Sequence, residues 1–174
     1  IMFVQAILVG LVGAFGCLDY QLGTLYAFRP IVLCPLVGLV LGDLQSGLAI
    51  GASLELLFMG SISIGAYVPP DETIGGVLAC AFAIQLGQST ETAIALAMPI
   101  ATLCLAIKNI LNAALPILVD RADVFSAQGN LKGVYAMHFL IGSTGIIEEF
   151  ALGRWAQGGP VISCLLYTSP SPRD

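Results

Sequence analysis

An all-α, polytopic membrane fold with broken or re-entrant helices, in about five or six membrane segments, is the class this sequence predicts, on three observations. Of 174 residues 57% are hydrophobic and 10% charged, against roughly 25% charged in a soluble domain, so too few polar residues exist to cover a water-facing surface. The charges mostly separate long apolar runs. Small residues recur every fourth position, at Ala6/Gly10/Ala14, Gly38/Gly42, Gly47/Gly51 and Ala93/Ala97/Ala101, the spacing that lets helices approach closely in lipid. The same composition excludes a disordered chain. Six Lys and Arg against eleven Asp and Glu exclude a basic nucleic-acid binder, so no nucleic acid is expected as a partner. The length allows one domain.

The segments follow in order. Residues 1–18 carry no charge, and about 20 apolar residues at ~1.5 Å each cross a hydrocarbon core of roughly 30 Å. No basic residue precedes this run and more apolar runs follow it, so it reads as a retained helix rather than a cleaved signal. Further runs occupy residues 30–42, 44–54, 56–70, 73–90, 92–107, 109–119 and 133–147. Arg29-Pro30 marks the start of the second helix, with proline in the first turn where its missing N–H costs no bond.

Residues 44–70 are unusual: 27 residues with one charge, Glu55. One straight helix of that length would measure ~40 Å, more than the core requires. The stretch also holds Gly47, Gly51, Gly60 and Gly65, with Ser46, Ser53, Ser61 and Ser63 among them, and ends at Pro69-Pro70-Asp71-Glu72. These interruptions predict a broken helix or re-entrant hairpin, which lipid tolerates only where irregular backbone lines a cavity or is buried in protein. A binding site is expected there.

Gln88-Ser89-Thr90-Glu91 supplies capping hydroxyls and a first-turn acid, so a helix starts near Thr90 and runs to Ile107 or beyond, with a kink expected at Pro99. Residues 120–132 read as the longest polar loop, and Arg121 and Lys132 within it favour the cytoplasmic side. Cys17, Cys34, Cys80, Cys104 and Cys164 lie far apart in apolar stretches with no CxxC, which suits packing rather than zinc or a disulfide framework.

The acids carry most of the functional information. A carboxylate at the bilayer centre costs about 2.5–3.5 kcal/mol, so it faces a cavity, a partner or a substrate path. Glu55, with eleven uncharged residues before it in its stretch and fifteen after, is the leading candidate; the structural alternative pairs it with Arg29 or Lys108, or places it at the headgroups. Asp71 and Glu72 suit the first turn of a helix, and Asp43 likewise a helix end. His138, between Met137 and Phe139, reads as a hydrogen-bonded packing histidine. No phosphate-cradling GxxxxGK[ST] loop, GxSxG elbow or paired zinc histidines occur. No cofactor, metal or catalytic nucleophile is therefore expected, which favours a carrier or permease subunit.

Phe28-Arg29-Pro30, then LVGLVLGD at residues 36–43, GLAIGASLE at 47–55 and IGAYVPPD at 64–71 together resemble the enzyme IIC component of the mannose/fructose/sorbose family of bacterial phosphotransferase systems. Similarity continues through residues 85–99 and 120–132 to about His138, covering most of residues 5–147. The resemblance implies a sugar-translocating membrane subunit in the inner membrane that pairs with a IID membrane protein as a hetero-oligomer. Soluble IIA and IIB components would relay phosphate to a hexose or amino sugar, so the phosphoryl-transfer chemistry would lie on the partners. It further implies an elevator-like movement of a broken-helix core, with Glu55 and Asp71 near the sugar and Ser63 and Asp43 completing the candidate set. Some mannose-type members carry Asn where this chain has Ser63, so the sugar itself stays open.

On this reading residues 1–150 are the N-terminal part of a permease domain, residues 151–174 are unassigned, and from about residue 163 the polar, proline-rich sequence reads as a non-native tail. Two readings stand against it: an ion-coupled secondary transporter using Glu55 as its proton site, and a membrane scaffold without transport activity.

Overall fold

The computed structural model describes residues 2–23, 25–61, 64–65 and 67–158. Six helices occupy them, and no strand occurs among the described residues: α1 (Met2–Leu22), α2 (Pro30–Leu41), α3 (Leu44–Phe58), α4 (Glu72–Gln85), α5 (Thr90–Ala127) and α6 (Leu131–Gly158).

The expected all-α architecture is present, with the break in residues 44–70 where glycine and proline accumulate. Helix α3 ends at Phe58, and among the described residues no helix recurs before Glu72. The tight hairpin lies one element earlier. Pro30 occupies the first turn of α2. Gly42 closes that helix in the left-handed region (φ 89°), where a side chain would be strained, and donates its N–H to the Gly38 carbonyl. Asp43 then caps α3 by accepting the Ser46 N–H at 3.0 Å. The two helices run antiparallel in near-backbone contact: a Cβ on Gly38 would lie 3.1 Å from Gly47 Cα, and one on Gly47 would lie 2.8 Å from the Cys34 carbonyl oxygen.

Helix α4 is the centre of the bundle, buried on every face from Thr73 to Ala83. Its small residues admit three neighbours. The Cys34 thiol of α2 donates to the Gly76 carbonyl, and the Cys80 thiol to the Cys34 carbonyl. Gly75 meets Ala101 of α5. Ala93, Ala97 and Ala101 are buried, so the alanine stripe forms an α5 packing face. Helix α1 pairs with α6, where Gly10 receives Phe150 and Gly153.

Helix α5 is both long and apolar enough to cross a membrane; the other apolar stretches are shorter, at Val4–Asp19, Pro30–Leu41, Leu44–Phe58 and Glu72–Gln85. Its 38 residues span about 57 Å, running through both Pro99 and Pro116 and joining two apolar runs that look separate in sequence. The polar loop expected at residues 120–132 is for the most part helix. Asp120, Arg121 and Asp123 add charge but no helix-breaking geometry, and the turn waits for Gly129 (φ 67°) and Asn130. The Asn130 side chain accepts the Gly133 N–H and so starts α6. His138 is a second correction: it is exposed on α6 beside Phe139 rather than packed in an interior. The ends, including residues 159–174 and Cys164, lie outside the described residues.

Candidate functional site

Four chain segments bring charge to one place. Arg29 is the residue before α2, Glu55 lies in the last turn of α3, Asp71 and Glu72 begin α4, and Lys108 sits in α5. The non-helical segment before α4 reaches this point by bonding to α5, the Asp71 N–H donating to the Ala101 carbonyl at 3.3 Å.

Each acid has a definite environment. Asp71 caps α4, with Oδ1 accepting the Thr73 and Ile74 N–H groups, and its Oδ2 takes the Lys108 ammonium at 2.7 Å. Its side chain is 7% exposed, not a solvated loop acid. Glu72 accepts from Arg29 Nη1 at 3.2 Å. Glu55 is held more loosely, 3.7 Å from the same Nη1 and accepting the Ile31 N–H at 3.4 Å. The structural alternative for Glu55 is thus present as geometry, since it does pair with Arg29. That pairing joins Glu55 to the cluster rather than removing it.

A cavity of about 230 Å3 opens beside these groups, lined by Phe28, Val68, Pro69, Pro70, Asp71, Glu72, Thr73, Leu105 and Lys108. Its polar wall is two carboxylates and an ammonium; its apolar wall is a phenyl ring, prolines and a leucine. Carboxylates accept paired hydrogen bonds from vicinal hydroxyls while an ammonium donates to the same kind of group. Glu55 does not line the cavity and reaches it through Arg29 and Glu72.

Of the candidates from sequence, Glu55 and Asp71 are brought together. Asp43 is not: it lies at the far end of α2, about 18 Å of helix away, exposed and bonded to the Ser46 hydroxyl and N–H. Ser63 lies outside the described residues. Sequence reasoning offered Lys108 only as a partner for Glu55, not as a site residue, and passed over Asp19 and Glu148. Lys108 was visible as the one charge between Thr92 and Val119, and a cation in so apolar a run needs a counter-charge.

Asp19 acts from beneath the site. Its buried carboxylate accepts the Leu25 N–H at 2.8 Å and the Tyr26 N–H at 3.0 Å. Tyr26 has φ 60°, a conformation that costs a residue with a Cβ about 1 kcal/mol or more. Its ring stands 5.9 Å from that of Phe28, and the Arg29 guanidinium lies 5.5 Å from the Phe28 centroid. Asp19 therefore fixes the loop that presents Phe28 to the cavity and Arg29 to the acids.

Comparison with known proteins places this arrangement in a family. Residues 3–159 match the family described as the PTS system sorbose-specific IIC component, which carries the similarity past residue 147. The fructose permease IIC component of Bacillus subtilis is 36% identical over 110 residues, 63% of this chain and 41% of that protein. The PTS system mannose-specific EIIC component of Escherichia coli is 32% identical over 134 residues, 77% of this chain and 50% of that protein. The chain thus spans about half the length of these relatives. Among solved structures, a mannose transporter ManYZ in complex with microcin E492 matches with a TM-score of 0.82 and 27% identity, over 96% of this chain and 68% of that one. By the match that runs through residues 3–159, this chain belongs to the family of PTS sorbose-specific IIC components.

Proposed function

We propose that this chain forms the sugar-binding part of a IIC permease, a subunit that carries a hexose or amino sugar across the bacterial inner membrane as a multi-pass protein. The observation that supports it is the cavity before α4, where Asp71, Glu72 and Lys108 converge next to the ring of Phe28. A cavity of about 230 Å3 is below the roughly 300–1,000 Å3 of sites for drug-sized ligands, and suits a monosaccharide. Sugars present hydroxyls at their edges and C–H groups on their faces, so a carboxylate-and-ammonium wall opposite an aromatic and proline wall meets both.

Asp71 and Glu72 accept sugar hydroxyls, and Arg29 holds Glu55 and Glu72 at their station. Ser63 and Asp43 remain proposed contacts, Asp43 requiring movement of the hairpin. Phosphorylation of the sugar falls to soluble IIAB partners, and a IID membrane protein completes the translocating unit. The mannose and fructose named for relatives are the first sugars to offer.

The test is the identity of the product. Cells carrying the full-length protein with its IID and IIAB partners should accumulate labelled sugar phosphate at the expense of phosphoenolpyruvate. Accumulation of unmodified sugar driven by a proton gradient would overturn this reading in favour of an ion-coupled carrier.

A further inference from the structure

Glu148 of α6 is a buried carboxylate that nothing in the preceding account uses. It is 9% exposed, and its Oε1 has no hydrogen-bond partner, the one such buried side-chain atom among the described residues. An acid left this way in a packed interior is costly.

The helix register shows what lies opposite. Cys104 of α5 and Leu152 of α6 share one apolar cluster with Ile74, Leu78 and Phe82. The two helices are antiparallel across the turn at residues 128–130, and near that turn Gly133 lies against Phe125. One helical turn beyond Cys104 stands Lys108, and one turn before Leu152 stands Glu148, so the same register sets the two facing each other. Yet the Lys108 ammonium is drawn to Asp71, 2.7 Å away. The register thus sets a second carboxylate on the α6 side of an ammonium whose four-carbon stem lets it turn.

We infer that Glu148 is the alternate seat of Lys108: when a sugar hydroxyl takes Asp71, the ammonium turns to Glu148, so that binding exchanges one ion pair for another instead of breaking one. Glu148 is then a positioning residue that acts through Lys108, a role that rests on the sugar site proposed above. A sugar that engages Asp71 competes for the carboxylate that holds the Lys108 ammonium at 2.7 Å.

Two measurements on the purified full-length protein test this. In the first, thermal unfolding without sugar is followed for Glu148→Gln, Asp71→Asn and the double variant. Gln keeps the shape of Glu148, and Asn keeps the cap of α4. Glu148→Gln alone should leave the melting temperature unchanged or raise it, because Lys108 stays on Asp71. In Asp71→Asn the ammonium moves to Glu148, so the double variant should lose far more than the sum of the single changes. Additive changes, or a Glu148→Gln variant that is destabilised by itself, would overturn the inference, the latter placing the partner of Glu148 elsewhere.

In the second, binding of labelled mannose and fructose is measured. Glu148→Gln should weaken binding about tenfold, in the range of coupled neighbours, with Glu148→Asp restoring most of it and with no further loss in a Lys108→Met background. An equal effect of Glu148→Gln with and without Lys108 would refute the coupling. Failure of the unaltered protein to bind either sugar would count against the sugar site alone, while the melting result still decides the Lys108 exchange.

Discussion

Arg29 Nη1 lies 3.2 Å from Glu72 Oε2, so the residue that precedes α2 is bonded to the first residue of α4 across 43 positions of sequence. The same nitrogen stands 3.7 Å from Glu55 at the end of α3. One guanidinium therefore gathers both ends of the helical hairpin's open side and the start of the central helix.

Replacing Arg29 should accordingly affect both stability and binding. Arg29→Gln leaves Glu55 and Glu72 repelling each other without a cation, at a cost of about 2 kcal/mol, between the values for exposed and fully buried pairs. Arg29→Lys restores the charge but not the reach and planar geometry of the guanidinium, and should fall between. Thermal unfolding of the full-length protein in detergent checks the order: unaltered, then Lys, then Gln.

The hairpin depends on two glycines in contact. A Cβ at residue 47 would lie 2.8 Å from the Cys34 carbonyl oxygen and 3.0 Å from Gly38 Cα, both backbone atoms that cannot swing away. Gly47→Ala should destabilise by about 1–3 kcal/mol as an overpacked contact. Gly60→Ala is the control, since a Cβ there meets nothing within 4 Å, and its melting temperature should match that of the unaltered protein.

Asp19 offers a test at a distance from the cavity. Its carboxylate satisfies the Leu25 and Tyr26 N–H groups and holds Tyr26 in its left-handed conformation. Asp19→Ala should cost about 1–3 kcal/mol for the buried groups left unpaired. It should also weaken sugar binding, because Phe28 and Arg29 are presented by that loop. A variant that melts early yet binds mannose or fructose at full affinity would show the loop has no part in the site.

Much of the fold was legible because membrane helices announce themselves by what interrupts them. Gly60, Pro69 and Pro70 located the break between α3 and α4, and Pro30 and Thr90 marked helix starts to the residue. The alanine stripe of α5 was readable from spacing alone. The residues 120–132 were misjudged because charge was read as a loop signal, although only Gly129 and Asn130 there change the backbone direction. Partners were harder. Asp71 and Lys108 lie 37 positions apart, and which charge meets which is decided by how α4 packs on α5, a tertiary fact without local trace. Asp43 shows the converse: a motif acid whose local geometry is that of a helix cap, standing away from the cluster.

Glu55 gives the most direct test of the central claim, that the acids gathered by Arg29 serve a transported sugar. Its bonds are the longest in the cluster, so Glu55→Gln leaves the α4 cap and the Lys108 pair intact. The measurement is accumulation of labelled sugar phosphate in cells carrying the full-length protein and its partners, offered mannose, fructose and sorbose in turn. The expected result is a fall of about tenfold or more, with an unchanged amount of protein in the membrane, as for an intramembrane acid that serves the substrate path. Undiminished accumulation would contradict the claim.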